Sequence, residues 1–221
     1  MTPYPLFVEI KDRLCLVVGG GAVGRRKIEG LLAAGARVRL VDPKPAAEAL
    51  PPGVEQVCRE YLPGDLADAV LVFAATNQRE VNAVIAREAR SRGILVNVAD
   101  APAESDFTVP ALLRRGGLTV AVGTAGQSPA LAALVRDDLG ELLGAEWEIV
   151  VEIAAALRRK RLTPGPHNDY NQRVFRRLLD GGVAGLVAAG DGPAIDRLLT
   201  SVVGEGTTLA ALGVGMTKGR R

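Results

Sequence analysis

Apolar and polar positions follow two different rhythms along this chain. In the first half, short unbroken apolar runs alternate with stretches of helical period. Leu14–Val18 is a five-residue apolar run, which predicts a strand buried on both faces. Val23, Ile28, Leu31 and Leu32 then recur at helical spacing, and Gly35 suits the helix end because it can take a positive φ. Arg37–Val41 reads as the second strand and Val54–Cys58 as a weakly alternating one. Val70–Ala75 is another buried run, ending in Thr76-Asn77. An amphipathic helix is predicted over Glu80–Arg92, with Val81, Val84, Ile85 and Ala89 inward and Arg87, Glu88, Arg90 and Arg92 solvated. Ile94–Val98 is the next strand. Strands alternating with helices predict a parallel sheet with right-handed crossovers. Tyr4–Val8 is an apolar lead-in, expected to pack on the first strand or on a neighbouring subunit.

The rhythm changes at Asp106. Phe107–Leu113 and Leu118–Val122 are strand-like, and Arg114-Arg115-Gly116-Gly117 between them reads as a hairpin turn. Ser128-Pro129 opens a helix, with serine as N-cap and proline at the first helical position, running through Leu131, Leu134, Val135, Leu139 and Leu142. Further helices are expected over Ala145–Arg161, Asn168–Leu179 and Ala194–Val203. Thr163–Pro166 reads as a linker, and Gly213–Arg221 as a frayed tail. The fold class is therefore α/β: a Rossmann-like parallel sheet, then a small α+β segment, then a helical C-terminal domain. The boundaries expected are 1–105, 106–144 and 145–221.

Composition narrows the function. A net charge of +2 argues against a general nucleic-acid binder. The longest apolar run, Val70–Ala75, is too short to cross a bilayer, and the first residues lack a signal-peptide pattern, so a cytoplasmic location is expected. Cys15 and Cys58 both fall in predicted strands and read as buried structural thiols. His167 is the one histidine, so no histidine-based metal cage can be built and no metal site is expected.

The candidate chemistry starts at Gly19-Gly20-Gly21-Ala22-Val23-Gly24, a G-x-G-x-x-G between a strand and a helix. Gly19 lets the strand turn. Gly21 lets a pyrophosphate approach the backbone, and Gly24 lets the helix pack closely. Free helix-start amides then face an anion. Asp42 ends the second strand eighteen residues after Gly24, near the spacing of about 20 for a ribose-binding acid. A carboxylate there favours NAD over NADP, slightly offset by Lys44 and Arg39; a strand-end aspartate before Pro43 is the other reading. Thr76 and Asn77, at the carboxyl edge of the sheet, read either as cofactor contacts or as a helix cap.

Four segments then point to a family. GGGAVGRRK, AATNQREVN, ILVNVADAP and SDFTVPALLRRGGLTVAVGTAGQSPALAALVRDDL together resemble the siroheme synthase family, specifically its precorrin-2 dehydrogenase and sirohydrochlorin ferrochelatase module. The resemblance covers roughly Tyr4–Leu143 and leaves no room for the methyltransferase domain fused to the module in some bacteria, which implies the stand-alone form. It implies oxidation of precorrin-2 to sirohydrochlorin by NAD, ferrous iron insertion in some members, and a homodimer built through the hairpin and following helix. It assigns Asp100 as the catalytic acid-base residue. Cofactor contacts carried over or read from the loop are Gly19, Gly21, Ala22, Val23, Gly24, Asp42, Pro43, Lys44, Thr76 and Asn77. Substrate contacts are Asn97, Thr124 and Ser128. Arg25, Arg26, Lys27, Arg114 and Arg115 are candidates for the substrate's carboxylates. Two other readings stand beside this one: an NAD-sensing regulatory module, and a dehydrogenase for some other small metabolite.

Overall fold

The computed structural model describes residues 3–44, 49–160 and 168–216. The chain divides into two compact units, Met1–Val109 and Pro110–Arg221.

The first unit holds β1 (Leu14–Val18), β2 (Arg37–Val41), β3 (Val54–Val57), β4 (Ala69–Ala74) and β5 (Leu95–Val98), with helices α1 (Ala22–Ala33) and α2 (Arg79–Ser91). All five strands are parallel, in the order β3-β2-β1-β4-β5. The central strand β1 is buried along its whole length, as its unbroken apolar run requires. Its alternate residues serve two cores. Leu16 and Val18 pack with Ile85 and Ala89 of α2, while Cys15 and Val17 pack with Ile28 and Leu31 of α1. Strand order reverses between β1 and β4, which opens a crevice beyond their carboxyl ends.

The outer edge of β5 is covered by the chain that follows it. Ser105 Oγ accepts from Val98 N at 2.9 Å, and Asp106 Oδ2 accepts from Val96 N at 3.0 Å. Asn97 Nδ2 donates to the Phe107 carbonyl at 2.9 Å. An exposed edge that would invite another strand is thereby closed.

Several expectations are corrected here. The buried face of α2 is Asn82, Ile85, Ala86 and Ala89, with Val81 and Val84 only partly covered. Val23 is on the exposed side of α1. Cys58 lies just past β3 and is exposed, whereas Cys15 is fully buried and its thiol is pushed up to about 11 by burial. Tyr4, Leu6, Phe7 and Val8 do not pack on β1; all four are exposed.

The second unit opens with an antiparallel hairpin, β6 (Ala111–Arg115) and β7 (Leu118–Val122). The first strand starts at Ala111 and includes both arginines, so the turn is only Gly116-Gly117. A Cβ on Gly116, φ +54°, would lie 2.6 Å from Glu148 Cγ, so a side chain there would be strained and would force Glu148 aside. Helix α3 (Pro129–Leu142) packs across the hairpin, and Leu113 and Ala132 are buried.

Then come α4 (Glu146–Arg159), α5 (Asn168–Asp180), α6 (Val183–Ala189), α7 (Gly192–Val203) and α8 (Leu209–Leu212). Their core includes Ile153, Leu157, Ile195 and Leu199. Each such side chain contributes about 1.5–3 kcal/mol relative to exposure. Val214 is buried in the same core and Met216 packs on it, so the tail is held as far as Met216. The expected linker Thr163–Pro166, His167 and Arg161 lie outside the described residues.

Candidate functional site

Past β1 the chain turns at Gly19, φ +104°, where a Cβ would sit 2.4 Å from the Ala75 carbonyl oxygen and 2.8 Å from the Thr76 nitrogen. A Cβ on Gly24 would fall 1.9 Å from the Gly19 carbonyl oxygen. These two glycines let the loop fold back against β4 and α1. Gly21 is different: nothing lies within 4 Å of where its Cβ would be. It faces open space as the N-cap of α1, which has no capping side chain and no acid in its first turn. The amides of the first turn, from Ala22 to Gly24, are thus left for an anion.

Asp42 is tied to this loop. Its Oδ2 accepts from Gly20 N at 2.6 Å, and its Oδ1 from Lys44 N at 2.8 Å. Each oxygen keeps a lone pair for another donor. Pro43 and Lys44 are exposed beside it. Arg39 does not face Asp42 but pairs with Glu55 across β2 and β3, Nε to Oε2 at 3.0 Å.

Beyond β4 lies a second cluster. Asn82, fully buried on α2, makes four hydrogen bonds through its amide. Its Oδ1 accepts from Thr76 N at 3.2 Å and from Thr76 Oγ1 at 2.7 Å. Its Nδ2 donates to the Thr76 carbonyl and to Asp100 Oδ1, both at 3.1 Å. Thr76 Oγ1 also accepts from Gln78 N at 3.1 Å at the head of α2. Asp100 itself is exposed. Arg79, ion-paired to Glu104, feels the Asp100 charge, and its guanidinium is held above its ordinary range chiefly by the Glu104 bond. Asn77 is exposed nearby. A continuous line therefore runs along the carboxyl edge of the sheet: Asp42, Gly20, Gly19, Thr76, Asn82, Asp100.

The remaining candidates make local contacts within their own units. Asn97 ties β5 to Phe107, as described above. Thr124 and Ser128 belong to the second unit. Thr124 Oγ1 accepts from Ser128 N and donates to its carbonyl, both at 3.0 Å, and Ser128 Oγ accepts from Leu131 N at 3.2 Å as the N-cap of α3. The Lys27 ammonium lies 5.6 Å from the Phe73 ring centroid, and burial, with Arg26 beside it, lowers its pKa. Arg115 closes the end of α3, donating to the Leu143 and Gly140 carbonyls at 2.8 and 3.2 Å. Arg26 and Arg114 are exposed, and Arg25 is partly buried. Among the described residues, no group of three or more His, Cys, Asp or Glu is placed to hold a metal ion. No described helix is long and apolar enough to cross a membrane.

Asn82 is the residue sequence reading passed over. Its spacing with Ile85, Ala86 and Ala89 follows the i, i+3, i+4, i+7 rule, a signal hidden by its polarity.

Known proteins resemble this chain in sequence and in fold. The family model described as "Putative NAD(P)-binding" covers residues 6–111, and "Sirohaem biosynthesis protein central" covers 115–142. The siroheme synthase of Nitrosomonas europaea is 36% identical over 212 residues, 94% of this chain and 45% of its own. That of Pseudomonas aeruginosa strain LESB58 is 38% identical over 217 residues, 95% of this chain and 46% of its own. The chain belongs to the family of the siroheme synthase N-terminal module. Its siroheme synthase relatives are longer proteins, and the chain spans less than half of their length. The solved structure of SirC, a precorrin-2 dehydrogenase, shares the fold at TM-score 0.66 and 21% identity, covering 90% of this chain and 98% of its own. The first unit is an NAD(P)-binding domain.

Proposed function

We propose that this chain oxidises precorrin-2 to sirohydrochlorin with NAD, as a homodimer, giving NADH and a proton. The observation that carries the reading is the unbroken line from the glycine loop to Asp100 at one sheet edge. Family membership adds the substrate, since the solved relative SirC is a precorrin-2 dehydrogenase.

The residues fit a dinucleotide: open space at Gly21, uncapped amides on α1, and lone pairs on Asp42 for ribose hydroxyls. Ala22 and Val23 follow Gly21 in the first turn of α1, and Pro43, Lys44 and Asn77 are exposed just past the carboxyl ends of β2 and β4. Asp42 favours NAD, because its charge repels a 2′-phosphate. When bound, the nicotinamide supplies the hydride acceptor. The chain's own part is to orient the rings and take the proton. Asp100, exposed at the carboxyl edge, takes it through its carboxylate. Asn97, Thr124 and Ser128 are the substrate contacts on this reading, each also held by a local hydrogen bond.

The homodimer is supported by α3. Its outer face leaves Leu131 52%, Leu134 62% and Leu142 74% exposed, a stripe that a second copy would cover. A second activity, ferrous iron insertion into sirohydrochlorin, uses the same carboxylate to take pyrrole protons. A rate with sirohydrochlorin and ferrous iron no higher than without protein would remove that activity. The dehydrogenase itself is tested by anaerobic incubation with precorrin-2 and NAD. One NADH per sirohydrochlorin is expected; NADH binding with no turnover would favour the regulatory reading instead.

A further inference from the structure

We propose that Asn82 is a positioning residue for this reaction: its one buried amide sets Asp100 in place and spaces it from the glycine loop. The proposal rests on the reading of Asp100 as the proton acceptor.

A polar side chain at a core position of an amphipathic helix costs stability unless every bond is made. Asn82 is 0% exposed, and both ends of its amide are engaged. Thr76 fixes which end is which. Its N–H can only meet the amide oxygen, at 3.2 Å, and its carbonyl can only meet the amide nitrogen, at 3.1 Å. The second hydrogen on Nδ2 is then directed at Asp100 Oδ1, 3.1 Å away. Reversal of the amide would break both backbone bonds, so a donor is always presented to Asp100. That bond commits Oδ1 and leaves Oδ2 to take a proton. It also holds a short side chain that is otherwise exposed.

The other end of the amide reaches the cofactor side. Thr76 N lies 2.8 Å from where a Cβ on Gly19 would be, so the residue gripped by Asn82 is also the wall of the loop. One side chain thus sets the spacing between the dinucleotide loop and the base. The other charged groups near Asp100 do not do this. Arg79, at the head of α2, is held by Glu104 of the 3₁₀ turn Pro102–Glu104.

The test compares wild type, Asn82→Asp, Asn82→Leu and Asp100→Ala, each full-length. Readouts are kcat for NADH formation from precorrin-2, NAD affinity by titration, and thermal midpoint. Both Asn82 substitutions keep the branch at Cγ and remove the amide donor; aspartate also keeps the volume, whereas leucine adds bulk and avoids a buried charge. The expected result is a kcat at least tenfold lower in each folded variant, with NAD affinity within threefold of wild type. Folded variants with kcat within twofold of wild type, while Asp100→Ala is inactive, would overturn the positioning role and leave the base intact. Parallel loss of NAD affinity and kcat, or loss of the fold in both variants, would mark Asn82 as scaffold and also overturn it. Wild-type turnover in Asp100→Ala would remove the base itself, an outcome read from that arm alone.

Discussion

Gly21 and Gly24 stand three residues apart in one glycine motif and differ in what surrounds them: Gly24 is required by packing, whereas Gly21 borders open space. A Cβ on Gly24 would press on the Gly19 carbonyl oxygen from 1.9 Å, and backbone cannot step aside cheaply. Gly24→Ala is expected to lower stability by about 1–3 kcal/mol and weaken NAD binding with it. Gly21→Ala meets nothing within 4 Å, so its thermal midpoint should stay near wild type while NAD affinity falls. Calorimetric titration beside thermal melts separates the two. In the proposed function Asp42 carries both roles, since it also holds the Gly20 and Lys44 amides. Asp42→Ala should weaken NAD binding about tenfold more than NADP binding. Equal losses would leave Asp42 as a loop fastener only. Gly19, Gly24 and Asp42 were legible because they stand at a fixed spacing between a strand, a helix and a second strand. Asn82 was not, because polarity on a helix is read as solvent-facing. Nor were Lys27 and Arg115, since a charge in sequence does not reveal whether it meets a ligand, a ring or a helix end.

At the level of elements, periodicity located every strand of the parallel sheet: β1 and β4 as unbroken apolar runs, and β2, β3 and β5 as short runs that mix apolar and polar residues. The edge elements were harder. Phe107–Pro110 is apolar enough for a strand, yet it is irregular chain beside β5, and the hairpin begins at Ala111. Helix α6 went unpredicted because its seven residues sit between glycines, Gly182 at φ +77° and Gly190 at φ +73°. Helix α3 was placed from Ser128-Pro129, and the serine does accept the Leu131 amide. Leu131, Leu134, Val135 and Leu142, however, are exposed, while Ala132 faces the hairpin. Leu134→Asp should therefore leave the fold intact and halve the mass measured by light scattering. An unchanged mass, dimeric in both or monomeric in both, would contradict the proposed interface.

For the whole molecule, the first unit contains the complete line from Asp42 to Asp100, and the second carries the hairpin, the apolar face of α3 and a separate helical core. The fold class was legible from the alternation of runs and periods; side-chain direction, which decides what each unit offers a partner, was not. The central claim is that hydride and proton leave a tetrapyrrole beside Asp100 on a dinucleotide-binding sheet. The most direct measurement is anaerobic NADH formation from precorrin-2 by wild type and Asp100→Ala, with NAD affinity measured on both. The account predicts turnover by wild type, none by Asp100→Ala, and affinities within a few-fold of each other. No NADH from the wild-type protein, or undiminished turnover in Asp100→Ala, would contradict it.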